Sequence, residues 1–434
     1  MTIPAGSGSP PRDLPQHGAG PETTQSLPLG YFGAAILWLG LGSLGLILIT
    51  PDLVAGNAFS PRTIAVTHAF TLGFLVSAIF GALHQFVPAI MGVPITRWRV
   101  ASAGFWLQQA GTALLVAGLW SFQPAWQAVA WALLLLGVGL GSANTIPARR
   151  RAVRNRDVGG YVSLGHSALG LAMVVALGRI GSGLGWWIVG RESLLALHFH
   201  LGVLGFGSLT ILGIGSRMLP AFFEAPQAHT KMLRAIGWLI ALGLMVYGVG
   251  LLGWWQLVIQ AGGGLMVAAV TAHLVVLVSY VRRRKVRRPD PALGLLIAAV
   301  AMYAIALGLG IQMLATNGMP GRNWIAYAVL AILGWLTLVV LGVMHRIIPR
   351  LIVPLVMSRG IRPPAEALTG SLASVGLGWA TVGCLPAGVI LLGTGIIQTV
   401  PLLAQLGAIG FAVGVLLVGL QGVLLFKRAV GGTP

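Results

Sequence analysis

Acidic side chains are scarce in this chain: eight Asp and Glu stand among 434 residues, and none falls inside a long apolar run. Proton relays through membranes are usually built from intramembrane carboxylates, so redox proton pumping is not expected. Cysteine is scarcer still. The single Cys384, inside an apolar run, excludes a disulfide framework, a CxxCH attachment for covalently bound haem and a cysteine-ligated iron–sulfur cluster. Charge of either sign is confined to 8% of residues, against 56% hydrophobic residues and a mean hydropathy of +0.89. A water-soluble core does not require such values, whereas a multi-span helical membrane protein does.

What is present follows membrane rules. Crossing the ~30 Å hydrocarbon layer takes ~20 apolar residues in a helix. Twelve such runs are found, at about 30–50, 63–91, 98–122, 124–146, 159–183, 193–222, 231–252, 255–281, 291–315, 323–352, 367–396 and 400–426. The 27 Lys and Arg residues could in principle serve nucleic acid, but their positions decide for the membrane. Arg97 and Arg99 follow span 2, Arg149 to Arg156 follow span 4, and Lys231 and Arg234 follow span 6. Arg282 to Arg288 follow span 8, Arg350, Arg359 and Arg362 follow span 10, and Lys427 and Arg428 follow span 12. Positive residues stay cytoplasmic, so both termini are expected inside a bacterial-type inner (plasma) membrane, with no nucleic-acid partner. Residues 1–28, rich in Gly, Ser and Pro, read as a disordered cytoplasmic tail and not as a signal peptide.

The chain also repeats itself. THAFTLGFLVSAIFGALHQFVP, ending at Pro88, aligns without gaps on FHLGVLGFGSLTILGIGSRMLP, ending at Pro220, which sets His68 on His200. A third copy, LAILGWLTLVVLGVMHRIIP, ends at Pro349; it sets His345 on His84, Arg346 on Arg217, and Val329 where His68 and His200 stand. The expected fold is therefore all-α and integral to the membrane, with twelve transmembrane helices in three pseudo-equivalent four-helix repeats: 29–158, 159–290 and 291–434.

Imidazoles in hydrocarbon are costly unless partnered, which makes them functional candidates. His68, His198 and His200 fall near the outer face, while His84, His166, His273 and His345 fall nearer the inner face. At ~100° per residue, His198 and His200 point about 160° apart, so they serve different sides of span 6 and do not grip one metal together. His84 and His345 hold matching places on two inner helices and are candidates for an inner metal, haem or quinone site. His166 and His273 read as structural residues bonded to helix carbonyls. Arg217 and Arg346, at matching depth, are candidates for binding lipid headgroups or a quinone oxygen. Trp324, Tyr327 and Trp335 read as packing or interfacial anchors.

An HFH in the outer half of an inner helix, followed by LG(F/W), G and a proline at the cytoplasmic end, resembles the helix that ligates both haems in subunit I of haem-copper oxidases and nitric oxide reductases, above all the cbb3 type. That family shares the twelve spans in three sets of four, the cytoplasmic termini and a haem-ligating histidine early in the second span. The resemblance implies that His68 and His200 clamp a low-spin haem b and that His198 is placed to ligate a second, high-spin haem. It also offers Arg179 and Arg191 as guanidinium partners for haem propionates. The departures bear on activity. HFH lies on span 6 where the family has it on the tenth, span 7 has no histidine, and span 10 has none at the outer level. Copper needs several imidazole donors, so a complete binuclear oxygen-reducing centre is not expected and copper stays a doubtful second metal. The chain is thus more similar to divergent single-chain, NnrS-like relatives associated with nitric oxide handling.

The expectation is a membrane b-type haem protein, an oxidoreductase in electron transfer or in nitric oxide or oxygen chemistry. Its electrons would come from a quinol or an external cytochrome or cupredoxin, alone or within an oligomer or redox complex. The rivals are a transporter or channel with a histidine-lined pathway and a cofactor-free assembly subunit.

Overall fold

The computed structural model describes residues 21–146, 148–185, 191–316, 321–361 and 374–430. Among them are twelve long helices: α1 (Pro21–Ala55), α2 (Pro61–Met91), α3 (Trp98–Trp120), α4 (Pro124–Thr145), α5 (Arg156–Gly183), α6 (191–223), α7 (Thr230–Gly253), α8 (Gln256–Arg282), α9 (Pro291–Thr316), α10 (Arg322–Ser358), α11 (Val375–Ile397) and α12 (Pro401–Val430). Eleven are long and apolar enough to cross a membrane; the exception is α3, whose sequence carries Arg99, Gln108 and Gln109. These helices fit a multi-pass protein of the lipid bilayer. An exposed stripe of Leu37, Leu41, Leu44 and Leu48 along α1 makes the same point, because leucines at three- and four-residue spacing on an outer face find their solvent in lipid. Helix α1 starts at Pro21, earlier than the expected tail boundary, and proline suits the first helical position because its missing N–H is not needed there.

Three helices form the centre. In α2, α6 and α10, 72, 78 and 89% of the most apolar window is buried, against 33–50% in the other membrane-competent helices. Each of the three is interrupted by a wider π-helical stretch, at Ala69–Val76, Leu201–Ser208 and Leu330–Leu336. Such stretches are rare and re-aim the side chains beside them, and they occur often at functional sites. Here each begins on the residue after His68, His200 or Val329.

The LG(F/W) glycine lies inside each π stretch, and its role is steric. A β-carbon at Gly73 would overlap the Trp38 ring of α1, one at Gly205 would strike Ala168 of α5, and one at Gly334 would strike Met302 of α9. The missing side chain thus lets α1, α5 and α9 close against α2, α6 and α10 in the same way. The remaining helices pack as three antiparallel hairpins, α3 with α4, α7 with α8, and α11 with α12. Buried amides pin the first hairpin: Gln108 Nε2 donates to the Leu72 carbonyl at 2.9 Å, inside the first π stretch, and Gln109 Nε2 donates to Ser77 Oγ at 2.9 Å. With no water in the hydrocarbon, a carbonyl in a widened helical turn needs such a partner.

The matching arginines are ion-paired. Arg217 on α6 meets Asp157 of α5 at 2.8 Å, and Arg346 on α10 meets Asp290, just ahead of α9, at 2.7 Å. Each arginine rises beside the acid at the start of the preceding helix.

Candidate functional site

His68 closes the first α-helical turns of α2, which Ser60 caps by accepting from the Thr63 N–H at 3.3 Å. Its Nδ1–H donates to the Ile64 carbonyl at 2.8 Å. A carbonyl only accepts, so the neutral ring carries its hydrogen on Nδ1 and its lone pair on Nε2. His198 is held differently: its Nδ1–H donates at 2.9 Å to the carbonyl of Ala172 on α5, across a helix interface. That bond fixes the same tautomer and turns the ring toward α2. The two ring centres stand 6.0 Å apart with planes 37° apart.

Both rings line one cavity of about 300 Å³ enclosed by α1 to α6 and α10. Its walls are overwhelmingly aliphatic and aromatic, with Phe70, Phe199, Phe206 and Trp324 among them; Thr67, Thr71 and Arg179 are polar exceptions. Gly202, one turn beyond His198, also borders it, and nothing lies within 4 Å of where its β-carbon would be. The backbone therefore leaves room for a flat ligand to approach α6.

The donor set suits a metal held from two sides. Two imidazoles bound on opposite faces of one ion, with bonds of ~2.0 Å and ring centres ~1.2 Å behind each nitrogen, stand ~6.4 Å apart. The observed 6.0 Å lies close to that spacing. A bond from Nδ1–H to a carbonyl is a usual way in which a ligating imidazole is oriented, and both rings have it. An apolar lining and imidazole donors are compatible with a haem held without covalent attachment.

His200 lies elsewhere. Its Nδ1–H donates to the Ala196 carbonyl at 2.8 Å, and the Tyr327 hydroxyl of α10 lies 3.4 Å from its Nε2. Tyr247, Trp324 and Phe199 enclose the ring, with centres 5.1, 5.7 and 5.3 Å away. The structure thus brings His68 together with His198 and sets His200 apart, against Tyr327. The physical reason is register. His68 and His200 occupy the same position, just ahead of a π stretch, on two different central helices, so they face two different clefts. Across each cleft stands the residue three places ahead of the next π stretch, which is His198 in one case and Tyr327 in the other.

Arg179 borders the cavity, while the Arg191 side chain lies outside the described residues. The inner pair is not brought together. His84 donates from Nδ1 to the Phe80 carbonyl at 2.7 Å and stacks on Tyr31, whereas His345 donates to the Leu341 carbonyl at 2.9 Å within α10. Phe80 instead links His84 to His166, with ring centres 6.4 and 5.5 Å from it. His166 bonds the Val162 carbonyl at 2.7 Å, and His273 lies 3.5 Å from the Tyr303 hydroxyl. Of the aromatic anchors, Trp324 is the wall between the two outer clefts, Tyr327 is the partner of His200, and Trp335 stacks on Tyr303 and donates to Ser208 Oγ at 3.1 Å. The part played by Tyr327 was visible only in its offset from Val329, which matches the offset of His198 from His200. No known protein-family model matches the chain, and no curated protein matches it either.

Proposed function

We propose that the chain is a membrane b-type haem protein built as three four-helix units on the pattern of haem-copper oxidase subunit I, with one haem clamped between His68 and His198 and electron transfer as its role. The observation that carries this reading is the pair of imidazoles on separate helices, each fixed by an Nδ1–H bond to a carbonyl, 6.0 Å apart in an apolar cavity. Support for the threefold plan comes from the π stretches that begin at residues 69, 201 and 330 and from the three LG(F/W) glycines that admit the preceding helix.

Bound there, a haem supplies a one-electron couple. The chain's own residues hold and shield it. His68 and His198 would hold the group from two sides, and a haem held by two imidazoles would favour electron transfer over gas binding. The apolar walls exclude water, and Arg179 offers a guanidinium to a propionate. A quinol in the bilayer or an external cytochrome or cupredoxin is the electron donor, and the termini lie on the cytoplasmic side because the basic loops share it. Spectroscopy with metal analysis tests the reading. Purified full-length protein is expected to show one haem per chain with a six-coordinate, bis-imidazole spectrum. Absence of haem and of iron would leave a transporter or an assembly subunit as the better account.

A further inference from the structure

A second, smaller cavity lies where α2, α6 and α10 meet, on the side of the π stretches that leads toward their closing prolines. It measures about 60 Å³, and its walls include Ile79 and Ala82 of α2, Ile211 and Ile214 of α6, and Val340 and Met344 of α10. Ile79 also borders the His68–His198 cavity.

Its chemistry selects the occupant. A buried water needs two to four polar partners, and apolar cavities stay dry while accepting xenon or small hydrocarbons. Almost no polar surface faces this space; the hydroxyl of Thr210, which borders it, lies against Gly165 instead. The space is about twice the ~30 Å³ share of a liquid water molecule, which suits one diatomic molecule or one xenon atom. Methionine fills irregular gaps readily, yet Met218 and Met344 both border this gap and leave it open.

We infer that the inner cavity is a binding site for one small apolar gas molecule. Gas binding stands on the cavity alone and is independent of the function proposed above. Crystals of the full chain pressurised with xenon test it. An anomalous peak is expected among Ile79, Ile211, Val340 and Met344 in the parent protein, and its loss in Val340→Phe. Ala82→Leu fills the space from α2 and serves if the phenylalanine variant does not fold. Three results overturn the inference: no peak at this place in the parent, an ordered water there that xenon does not displace, or a peak that persists in the filled variants. The haem spectrum of the same preparation is a separate readout. A xenon peak without haem refutes the proposed function and leaves the gas site standing, and haem without the peak does the reverse.

Discussion

Two clefts of the same build have become different things. In one, His68 faces His198 across an open apolar cavity; in the other, His200 faces Tyr327 and is closed in by Tyr247, Trp324 and Phe199. Each begins with a histidine placed just ahead of a π stretch and bonded through Nδ1–H to the carbonyl four residues back. The difference lies in the opposing residue and in what fills the space. An imidazole opposite an imidazole, each with its Nδ1–H committed to a carbonyl, presents two acceptor nitrogens and no donor between them. A phenol opposite an imidazole supplies its own donor and ends the need for a ligand.

The largest effect is expected from copying the closed cleft onto the open one. His198→Tyr is predicted to abolish haem binding while the bundle stays assembled, read as lost absorbance with an unchanged elution profile. Next comes His200→Ala. It removes a buried ring wedged among aromatic side chains and is expected to cost ~2–4 kcal/mol of stability, seen as a lower thermal midpoint, with haem retained. Gly205→Ala tests the shared scaffold, because the added carbon meets Ala168 Cβ at 2.5 Å; over-packing of this kind is expected to cost ~1–3 kcal/mol by the same assay. Tyr327→Phe is the smallest change. It deletes one interhelical hydrogen bond, worth ~0.6 kcal/mol in membrane proteins, and is expected to leave the haem spectrum unaltered.

Much of this was legible in the sequence. Runs of ~20 apolar residues locate helices because the bilayer leaves the backbone few other ways to satisfy its hydrogen bonds, and all twelve runs correspond to long helices. The opposed directions of His198 and His200 followed from helix geometry alone. The partner of His68 did not. Alignment of repeats sets His68 on His200, but residues that align occupy corresponding places on different helices and so face different clefts. The π stretches were hidden as well, since LGF and LGW read as ordinary helix and the wider turn arises from how α2, α6 and α10 pack. Arg217 and Arg346 looked free because their acids, Asp157 and Asp290, lie about 60 residues away in sequence and meet them only when the helices pair.

The contrast between the clefts is tested most directly by reduced-minus-oxidised spectra of His198→Ala and His200→Ala, measured beside the parent protein at equal chain concentration. Loss of the bis-imidazole haem signal in His198→Ala, with the parent signal preserved in His200→Ala, is the predicted result. A signal that survives in His198→Ala and vanishes in His200→Ala would contradict the account and return His200 to the side of His68.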